Sequence, residues 1–341
     1  MLYRAVRPLL FALDPEAAQR VSLKSLDALN CLGAASLAAD SLPRLPVRVL
    51  GLDFPNPVGL AAGMDKDGEH IDALAALGFG FLEIGAVTPR PQPGNPKPRV
   101  FRLPEAGALI NRLGFNSRGI EAVVENLRRS RYRGILGVNI GKNFDTPNER
   151  ASDDYLECLR KVHPHASFVT VNVSSPNTKN LRGLQEPAEL DHLLAELAAE
   201  RGKLAERHGK RVPLAVKIAP DLDDAGIEAI AGCVLARGID AVIATNTTVS
   251  REGVEHLPAG REPGGLSGAP LKGRATAVVA RLRRALPASV AIIGVGGIAS
   301  AADAREKLDA GANLVQLYTA LVYRGPGLIG EIVRGLAGER R

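Results

Sequence analysis

Eight short aliphatic segments recur along the chain from Pro57 onward, and this recurrence constrains the fold more than any other feature. Helical stretches separate most of these segments, which is typical of a parallel β/α architecture. The sequence therefore predicts an α/β fold, a (β/α)₈ TIM barrel that follows an N-terminal two-helix extension. The eight predicted strands read PVGLAAG, FLEIGAV, ILGVNIG, FVTVNVS, LAVKIAP, AVIATNT, AIIGVGG and LVQLYTA.

The connections between the predicted strands fit the same architecture. Three helices end at a glycine, Gly78, Gly238 or Gly311, and a strand begins two to four residues later. Glycine past a helix end supplies a left-handed cap, so we expect these connections to be αβ turns of one kind. Two insertions, residues 88–134 and 248–290, follow the second and sixth strands and are expected to lie over the catalytic face.

The extension is assigned to residues 1–45, and the barrel domain to residues 46–341. The extension contains two predicted helices, the second starting at Asp14-Pro15, and no apolar run in it is long enough to cross a bilayer. Its pattern alone leaves two interpretations open, a structural cap on the barrel or an interfacial patch lying on a membrane. The first helix repeats apolar residues at helical spacing at Leu2, Val6, Leu9, Leu10 and Leu13.

Composition excludes several classes of function. The net charge is +6, but the basic residues are dispersed and aromatic residues make up only 4%, so stacking platforms for nucleic-acid bases are not expected. The three cysteines are far apart and form no CxxC motif, which argues against a disulfide framework and a structural zinc site. No metal is predicted, and the histidines are expected to be ordinary surface residues, namely His163, His165 and His192.

Three central strands share one register, LGVNIG, VTVNVS and LAVKIA, and each carries a polar residue at the same place. These residues are Asn139, Asn172 and Lys217. Because side chains alternate along a strand, all three are expected to point to the same side. A barrel interior is normally filled by branched apolar residues, and its C-terminal mouth holds the active site. The shared register therefore predicts a ligand site in the mouth.

The ends of the last two strands favour a phosphate group in that mouth. The seventh strand ends in Gly294-Val-Gly296-Gly297, and the eighth in Tyr318-Thr319, each just ahead of a helix. Backbone N–H groups and helix N-termini bind phosphate at this place in many barrels. The charge of Lys217 would then favour a reduced flavin attached to the phosphate. The alternative use of such a lysine is a Schiff base, as in aldolases.

Long motifs in the chain resemble the dihydroorotate dehydrogenase family. The resemblance covers nearly the whole chain and is closest to class 2, the quinone-dependent, membrane-associated form. Class 1 carries a cysteine base where this chain has Ser175, and class 1 lacks the N-terminal helices. The motifs are GLAAGMDKDGE (59–69), EIGAVTPRPQPGNPKPRVFRLPE (83–105), INRLGFNS (110–117), VNVSSPNT (171–178), VKIAPDL (216–222), ATNTT (244–248), GGLSG (264–268), GVGGI (294–298) and QLYTALVY (316–323).

The resemblance implies that FMN accepts a hydride from dihydroorotate and that a membrane quinone is the final electron acceptor, in de novo pyrimidine biosynthesis. The residues implied to bind FMN are Ala62, Gly63, Met64, Asp65, Lys66, Ala86, Asn139, Asn172, Lys217, Thr245, Gly268, Gly297, Tyr318 and Thr319. Those implied to bind the substrate are Lys66, Asn111, Arg112, Leu113, Gly114, Phe115, Asn172, Asn177, Asn246 and Thr247.

The loop SSPNT carries the implied chemistry. Ser175 would take the proton from C5 of dihydroorotate, and Thr178 would relay it through water, because serine is a poor base by itself. The chain departs from its relatives at Ala86, where threonine is common, and at Gln19, where histidine is common near the quinone tunnel. Ala86 is therefore expected to contribute only backbone contacts.

The resemblance also implies where the protein works. It predicts a monomer in peripheral contact with the cytoplasmic face of the cell membrane, with Arg4, Arg7 and Arg20 at the anionic headgroups. No nucleic acid is expected as a partner. Two other functions stay open, a phosphate-substrate barrel that uses Lys217 as a Schiff base and a membrane-surface flavin-binding module without turnover.

Overall fold

The eight predicted strands close into one parallel barrel in the computed structural model, which describes residues 2–33 and 42–338. Within the predicted extension, residues 1 and 34–41 lie outside the described residues. In chain order the strands are β1 (Val47–Val49), β2 (Leu52–Phe54), β3 (Val58–Leu60), β4 (Phe81–Val87), β5 (Val100–Leu103), β6 (Ala108–Asn111), β7 (Ile135–Ile140), β8 (Phe168–Asn172), β9 (Leu214–Ile218), β10 (Ala241–Ala244), β11 (Gly265–Gly268), β12 (Ala291–Val295) and β13 (Leu314–Leu317).

The barrel runs in the order β3, β4, β7, β8, β9, β10, β12, β13 and closes between β13 and β3. Each of these strands lies within one of the predicted aliphatic segments, so the predicted TIM barrel is confirmed. The helices are α1 (Leu2–Ala12), α2 (Pro15–Cys31), α3 (Ile71–Ala75), α4 (Ile120–Arg129), α5 (Ala151–Val162), α6 (Pro187–His208), α7 (Asp224–Ala236), α8 (Lys272–Ala285), α9 (Ala301–Asp309), α10 (Thr319–Arg324) and α11 (Gly327–Gly338).

The αβ turns have the left-handed backbone conformation that the sequence predicts. Gly78, Gly238 and Gly311 have φ values of +94°, +59° and +111°, in the region that favours glycine. Each follows the end of a helix (α3, α7 and α9), and the next barrel strand begins within a few residues. These turns bring the chain back to the N-terminal end of the barrel, so the strands all point toward the opposite mouth.

The N-terminal end of the barrel is closed by apolar side chains. Strands β1 and β2 form an antiparallel hairpin, and Phe54 from β2 packs edge-on against Phe81, with ring centroids 5.3 Å apart. Phe81 in turn contacts Phe168, at 6.2 Å. All three rings are buried, so apolar side chains fill this end of the barrel.

The two insertions meet over the opposite end. Strands β5 and β6 from the first insertion and β11 from the second form an antiparallel sheet, in which Asn111 pairs with Gly265. This sheet brings Asn111 and Gly268 to the C-terminal mouth, as the sequence predicts for the insertions.

The N-terminal helices dock beside that mouth through polar contacts as well as apolar packing. Asp14 caps α2 by accepting a hydrogen bond from Ala17 N at 3.0 Å. The Glu16 carboxylate accepts hydrogen bonds from Nη2 and Nε of the buried Arg99, at 2.9 and 3.1 Å. The Nη1 atom of Arg102 donates to the carbonyl of Phe11 at 3.0 Å. These contacts fix the position of α1 and α2 on the barrel.

One expectation about the histidines is wrong. His163 follows the end of α5 and is fully buried, not a surface residue. Its ring lies 5.3 Å from that of His208 on α6, and burial lowers the pKa of His163. The packing of α5 against α6 covers this position, and the sequence pattern of α5 alone does not show it.

Candidate active site

A cavity of about 270 Å³ occupies the C-terminal mouth of the barrel. Its walls come from residues that end the barrel strands or directly follow them, and from the β5–β6–β11 sheet. In TIM barrels this end holds the active site, because the βα loops there are free to carry functional side chains. Predicted site residues that line the cavity are Ala62, Gly63, Lys66, Ala86, Asn111, Leu113, Gly114, Phe115, Asn172, Ser175, Asn177, Lys217, Thr245, Asn246, Thr247, Gly268, Gly297, Tyr318 and Thr319.

Asn139 lies beneath the cavity and not in its wall. Its amide nitrogen donates to the Glu83 carboxylate at 2.7 Å, and its carbonyl oxygen accepts from Asn172 at 3.0 Å. Gln316 donates to the other oxygen of Glu83. Asn139 and Glu83 are fully buried. This polar network forms the floor of the cavity and fixes the side chain of Asn172 through its hydrogen bond to Asn139. The predicted common orientation of Asn139, Asn172 and Lys217 agrees with this arrangement.

Two further residues implied to bind FMN point elsewhere. The carboxylate of Asp65 accepts hydrogen bonds from the backbone N–H groups of Glu69 and His70, at 2.9 and 2.8 Å, which holds the loop after β3. Met64 lines a second cavity, and its carbonyl accepts from the side chain of Gln19 at 2.7 Å. The structure therefore places Asp65 and Met64 behind the wall formed by Gly63 and Lys66.

The side chain of Arg112 also leaves the cavity. Its guanidinium pairs with Glu262 at 2.6 Å and lies over the ring of Phe101, 4.5 Å from the centroid. The Asn111–Phe115 loop nevertheless reaches the cavity through its other four residues. Any contact of Arg112 with a ligand there would be through its backbone.

Four asparagines line the cavity and are hydrogen-bonded in two pairs. Asn177 donates to Asn111 at 3.2 Å, and Asn246 donates to Asn172 at 3.4 Å. A side-chain amide carries both donors and an acceptor, so these side chains can read the edge of a ring that alternates N–H and C=O groups. Asn95 joins the two loops by donating to the backbone carbonyls of Asn177 and Arg112, at 3.1 and 2.9 Å.

The loop after β8 brings Ser175 into the cavity. Ser175 is 6% exposed, and its hydroxyl oxygen accepts from the backbone N–H of Asn177 at 3.3 Å. Thr178 is also buried but does not line the cavity. The hydroxyl oxygen of Thr178 has no hydrogen-bond partner within residues 2–33 and 42–338. A buried hydroxyl in this state can bind a water molecule and pass a proton to it.

Three basic residues line the cavity, Lys66, Lys217 and Arg324, and Arg324 is paired with Glu331 at 2.7 Å. Burial lowers the pKa of Lys66 to about 8, although Asp67 opposes that shift. Burial also lowers the pKa of Lys217, and Glu83 opposes the shift. An anionic ligand would favour the charged form of either lysine, because an opposite charge nearby stabilises the ammonium group.

The cavity offers what a phosphorylated heterocycle requires. Gly296 and Gly297 turn the chain after β12 and expose backbone to the cavity, with Thr319 at the start of α10 beside them. Deeper in the cavity, the side-chain carbonyl oxygen of Gln316 has no partner in the described part of the chain. That acceptor, with Lys217 and Asn172 near it in the wall, fits a ring that carries N–H donors and acceptors. The residues present therefore fit a flavin mononucleotide.

A second cavity, of about 480 Å³, lies between the N-terminal helices and the barrel. Aliphatic and aromatic side chains form most of its lining; α1 and α2 contribute close to half of the lining residues, and Arg102 is the one charged residue that the described part of the chain places there. The two cavities have four lining residues in common, namely Asn111, Leu113, Ser267 and Tyr318. A ligand in the first cavity and a ligand in the second would thus lie on opposite sides of these four residues.

Sequence reasoning missed several residues of the site. Ser267 lines both cavities and shares a hydrogen bond of 2.8 Å with Thr319. The family motifs include Ser267, Gln316 and Asn95. Membership of a motif was therefore the signal that could have identified these residues as part of the site. Glu83 stands there too, yet nothing in a single strand shows that a carboxylate will meet Asn139 and Gln316 across the barrel.

Comparisons with known proteins agree with this geometry. A model of the dihydroorotate dehydrogenase family matches residues 44–339. The chain belongs to this family. The dihydroorotate dehydrogenase (quinone) of Nitrosospira multiformis is 60% identical over 336 residues, which cover 98% of this chain and 96% of that protein. The protein of the same name from Chromobacterium violaceum is 60% identical over 337 residues, covering 99% and 98%.

A solved structure gives the same assignment. The crystal structure of the Eimeria tenella dihydroorotate dehydrogenase in complex with ferulenol superimposes with a TM-score of 0.86 at 40% identity, covering 96% of this chain and 91% of that one. The family resemblance predicted from the motifs, with its quinone-dependent class, is confirmed, and the protein is an oxidoreductase. A flavin-binding module without turnover and a Schiff-base barrel are therefore no longer needed as explanations.

The described residues contain no group of three or more His, Cys, Asp or Glu side chains placed to hold a metal ion. None of the helices in residues 2–33 and 42–338 combines the length and the apolar character that crossing a bilayer requires.

Proposed function

We propose that this dihydroorotate dehydrogenase oxidises (S)-dihydroorotate to orotate with FMN as the hydride acceptor and transfers the electrons to a membrane quinone, in de novo pyrimidine biosynthesis. The observation that carries the proposal is the pair of cavities with a common wall. One, which we call the polar cavity, carries amide, hydroxyl and lysine side chains and a candidate base. The other, the apolar cavity, lies under the N-terminal helices. A polar ring and a lipophilic acceptor can therefore be bound on opposite sides of the same wall.

FMN would be held at the floor and rear of the polar cavity. FMN supplies the two-electron chemistry when bound, since it accepts a hydride and returns electrons to a quinone. Lys217 and Gln316 would contact its ring, and the Gly296–Gly297 turn with Thr319 would hold its phosphate. Asn139 would act from below by orienting Asn172, to which it is hydrogen-bonded.

Dihydroorotate would bind against the four asparagines. Asn111, Asn172, Asn177 and Asn246 would read its amide and carbonyl edges, and Lys66 would pair with its carboxylate. The Asn111–Phe115 loop would close over the ring. Support comes from the hydrogen bonds that already fix these amides to one another, because a preorganised wall loses little freedom when it binds substrate.

Ser175 would remove the proton from C5 of the substrate, and Thr178 would help the proton to leave. Both hydroxyls are buried on one loop, and that of Thr178 has no partner among the described residues, so it can bind the water of a relay. The proton would thus leave through the loop, and FMN, when bound, would take the hydride from C6.

The quinone would enter the apolar cavity from the membrane. Leu9 is 72% exposed and Leu29 47% exposed, so α1 and α2 present apolar side chains outward as well as inward. An amphipathic surface of this kind can lie in the lipid interface of the cytoplasmic face, with Arg4 and Arg20 exposed for headgroup contact. Arg7 fits that role less well, because it donates to the Tyr323 carbonyl at 3.0 Å.

The domain division at residues 1–45 and 46–341 follows from the same proposal. The family model begins at residue 44, which supports a barrel domain with the two helices as a separate quinone-tunnel extension. We also propose that the protein acts as a monomer.

The proposal is tested by adding dihydroorotate to the purified, FMN-loaded protein without oxygen. We expect the visible flavin absorbance to bleach and then to return when a long-chain quinone is added. A flavin that dihydroorotate fails to bleach would contradict the proposed reaction. A chain that bound no FMN at all would contradict the cofactor assignment.

A further inference from the structure

One arginine outside the cavity joins two loops that form its wall. Arg182 lies in the 3₁₀ turn Leu181–Gln185, directly after the loop that carries Ser175, and it does not line the cavity. Its guanidinium donates from Nε to the Ser174 carbonyl at 3.1 Å and from Nη2 to the Thr247 carbonyl at 2.9 Å. Its Nη1 pairs with Asp221 at 2.8 Å.

The two carbonyls belong to loops from different strands. Ser174 directly precedes Ser175 on the loop after β8, and Thr247 lines the cavity on the loop after β10. The hydroxyl of Ser174 also accepts a hydrogen bond from Asn246, at 3.1 Å. A shift of either carbonyl would break a bond to Arg182, so one rigid guanidinium sets the spacing of the two loops.

Asp221 holds the guanidinium itself in place. Its carboxylate accepts from the hydroxyl of Thr248 and from the backbone N–H of Val249, at 3.1 Å for the latter. The side chains of Arg182 and Asp221 are 23% and 17% exposed, so water screens this pair less than a surface ion pair. Arg274 is a more distant partner of the carboxylate, at 3.8 Å.

The turn that carries Arg182 is anchored separately. Gln185 accepts a hydrogen bond from Ala219 N at 2.9 Å, directly after β9. The base of the turn is therefore fixed to the barrel independently of the guanidinium. Loss of the Arg182 side chain should release the loops without detaching the turn.

We propose that Arg182, supported by Asp221, is a positioning residue that holds the Ser175 loop and the Thr247 loop at the separation the proton transfer requires. The inference rests on the proposed function, in which Ser175 is the base. A misplacement of a reacting group by about 1 Å can cost about 10²-fold in rate, so a residue without substrate contact can limit the reaction.

A plain structural ion pair would have a different effect, and the chain offers a matched control. Arg201 pairs with Asp240 at 2.6 Å and donates to the Gly238 carbonyl at 3.1 Å. This pair lies at the opposite end of the barrel, because Asp240 precedes β10. Arg182→Met and Arg201→Met therefore remove comparable contacts near the site and far from it.

The experiment measures flavin reduction by saturating dihydroorotate in single-turnover mixing, with the FMN-loaded full chain. We expect Arg182→Met to be slower by about tenfold or more, with quinone reoxidation of the flavin and FMN content unchanged. Arg201→Met should lower the thermal midpoint and leave both half-reactions unchanged. A loss smaller than about tenfold in Arg182→Met, or an equal loss in Arg201→Met, would overturn the positioning role.

A double variant separates positioning from a general defect. Because Arg182 is proposed to act through Ser175, adding Arg182→Met to Ser175→Ala should slow reduction by less than about twofold further. A full, additive loss would overturn the inference. If Ser175→Ala alone reduced at the wild-type rate, the proposed function would fail instead. If Arg182→Met does not fold, Asp221→Asn replaces it in both experiments, and the same outcomes are expected.

Discussion

The two cavities differ in the chemistry of their linings, although they share part of one wall. The barrel cavity carries amides, hydroxyls and basic groups among its lining residues, and hydrogen bonds between several of these side chains fix their positions. The cavity under α1 and α2 is lined mainly by aliphatic side chains, whose contacts are not directional. This difference suits a polar substrate that must be aligned for reaction and a lipophilic acceptor that needs only to come close.

The largest effect is expected from the base in the polar cavity. Ser175→Ala should slow flavin reduction by about 10²–10⁴-fold, since a positioned base contributes about that much. Reoxidation by quinone should not change, because Ser175 does not line the second cavity. Stopped-flow absorbance of each half-reaction checks both statements, and Ser175→Cys should recover part of the lost rate. An unchanged reduction rate would remove Ser175 from the chemistry.

Removal of the apolar cavity should have the converse effect. Deletion of residues 1–40 takes away α1 and α2, so long-chain quinone should no longer reoxidise the flavin efficiently, whereas dihydroorotate should still bleach it. Circular dichroism shows whether the barrel remains folded, and vesicle flotation measures membrane binding. A folded, truncated protein with full quinone turnover and membrane binding would make the helices a structural cap.

Protonation of Lys66 should give the polar cavity a pH dependence that the apolar cavity lacks. Its pKa is lowered to about 8, so the positive charge is present below that pH and is lost above it. The dissociation constant of orotate should therefore rise above pH 8, by up to about tenfold per pH unit. Flavin fluorescence titration measures it. Lys66→Met should bind weakly at every pH, and a retained pH dependence would assign the titration to another group.

A smaller effect is expected at the floor of the polar cavity. Lys217→Ala removes a buried positive charge, so the flavin reduction potential should fall or flavin occupancy should drop. Potentiometric titration and the ratio of flavin to protein absorbance measure these quantities. If both were unchanged, Lys217 would not contact the cofactor.

The sequence predicted the polar cavity in more detail than the apolar one, and the reason is physical. Strand periodicity fixes the side toward which Asn172 and Lys217 point, and the βα order fixes the end of the barrel at which they meet. Hydrogen bonds such as Asn139 to Glu83 connect strands that are distant in sequence, so no single segment shows them.

Loops were less predictable than strands because they have no periodicity. The pattern of the Asn111–Phe115 loop does not show that Arg112 turns away to Glu262 while its neighbours face the cavity. The contacts of Arg182 with three separate segments are invisible in sequence for the same reason. The residue pattern predicted only a helical extension where the apolar cavity lies, since the lining depends on how α1 and α2 dock. The quinone tunnel there was implied by the family resemblance alone.

The most direct test of two separate sites is a competition measurement. The flavin is first reduced by dihydroorotate and then mixed with a long-chain quinone in the presence of rising orotate. If the ligands bind on opposite sides of the wall formed by Asn111, Leu113, Ser267 and Tyr318, saturating orotate will leave the reoxidation rate unchanged. Competitive slowing of reoxidation by orotate would mean that substrate and quinone use one cavity, which would contradict this account.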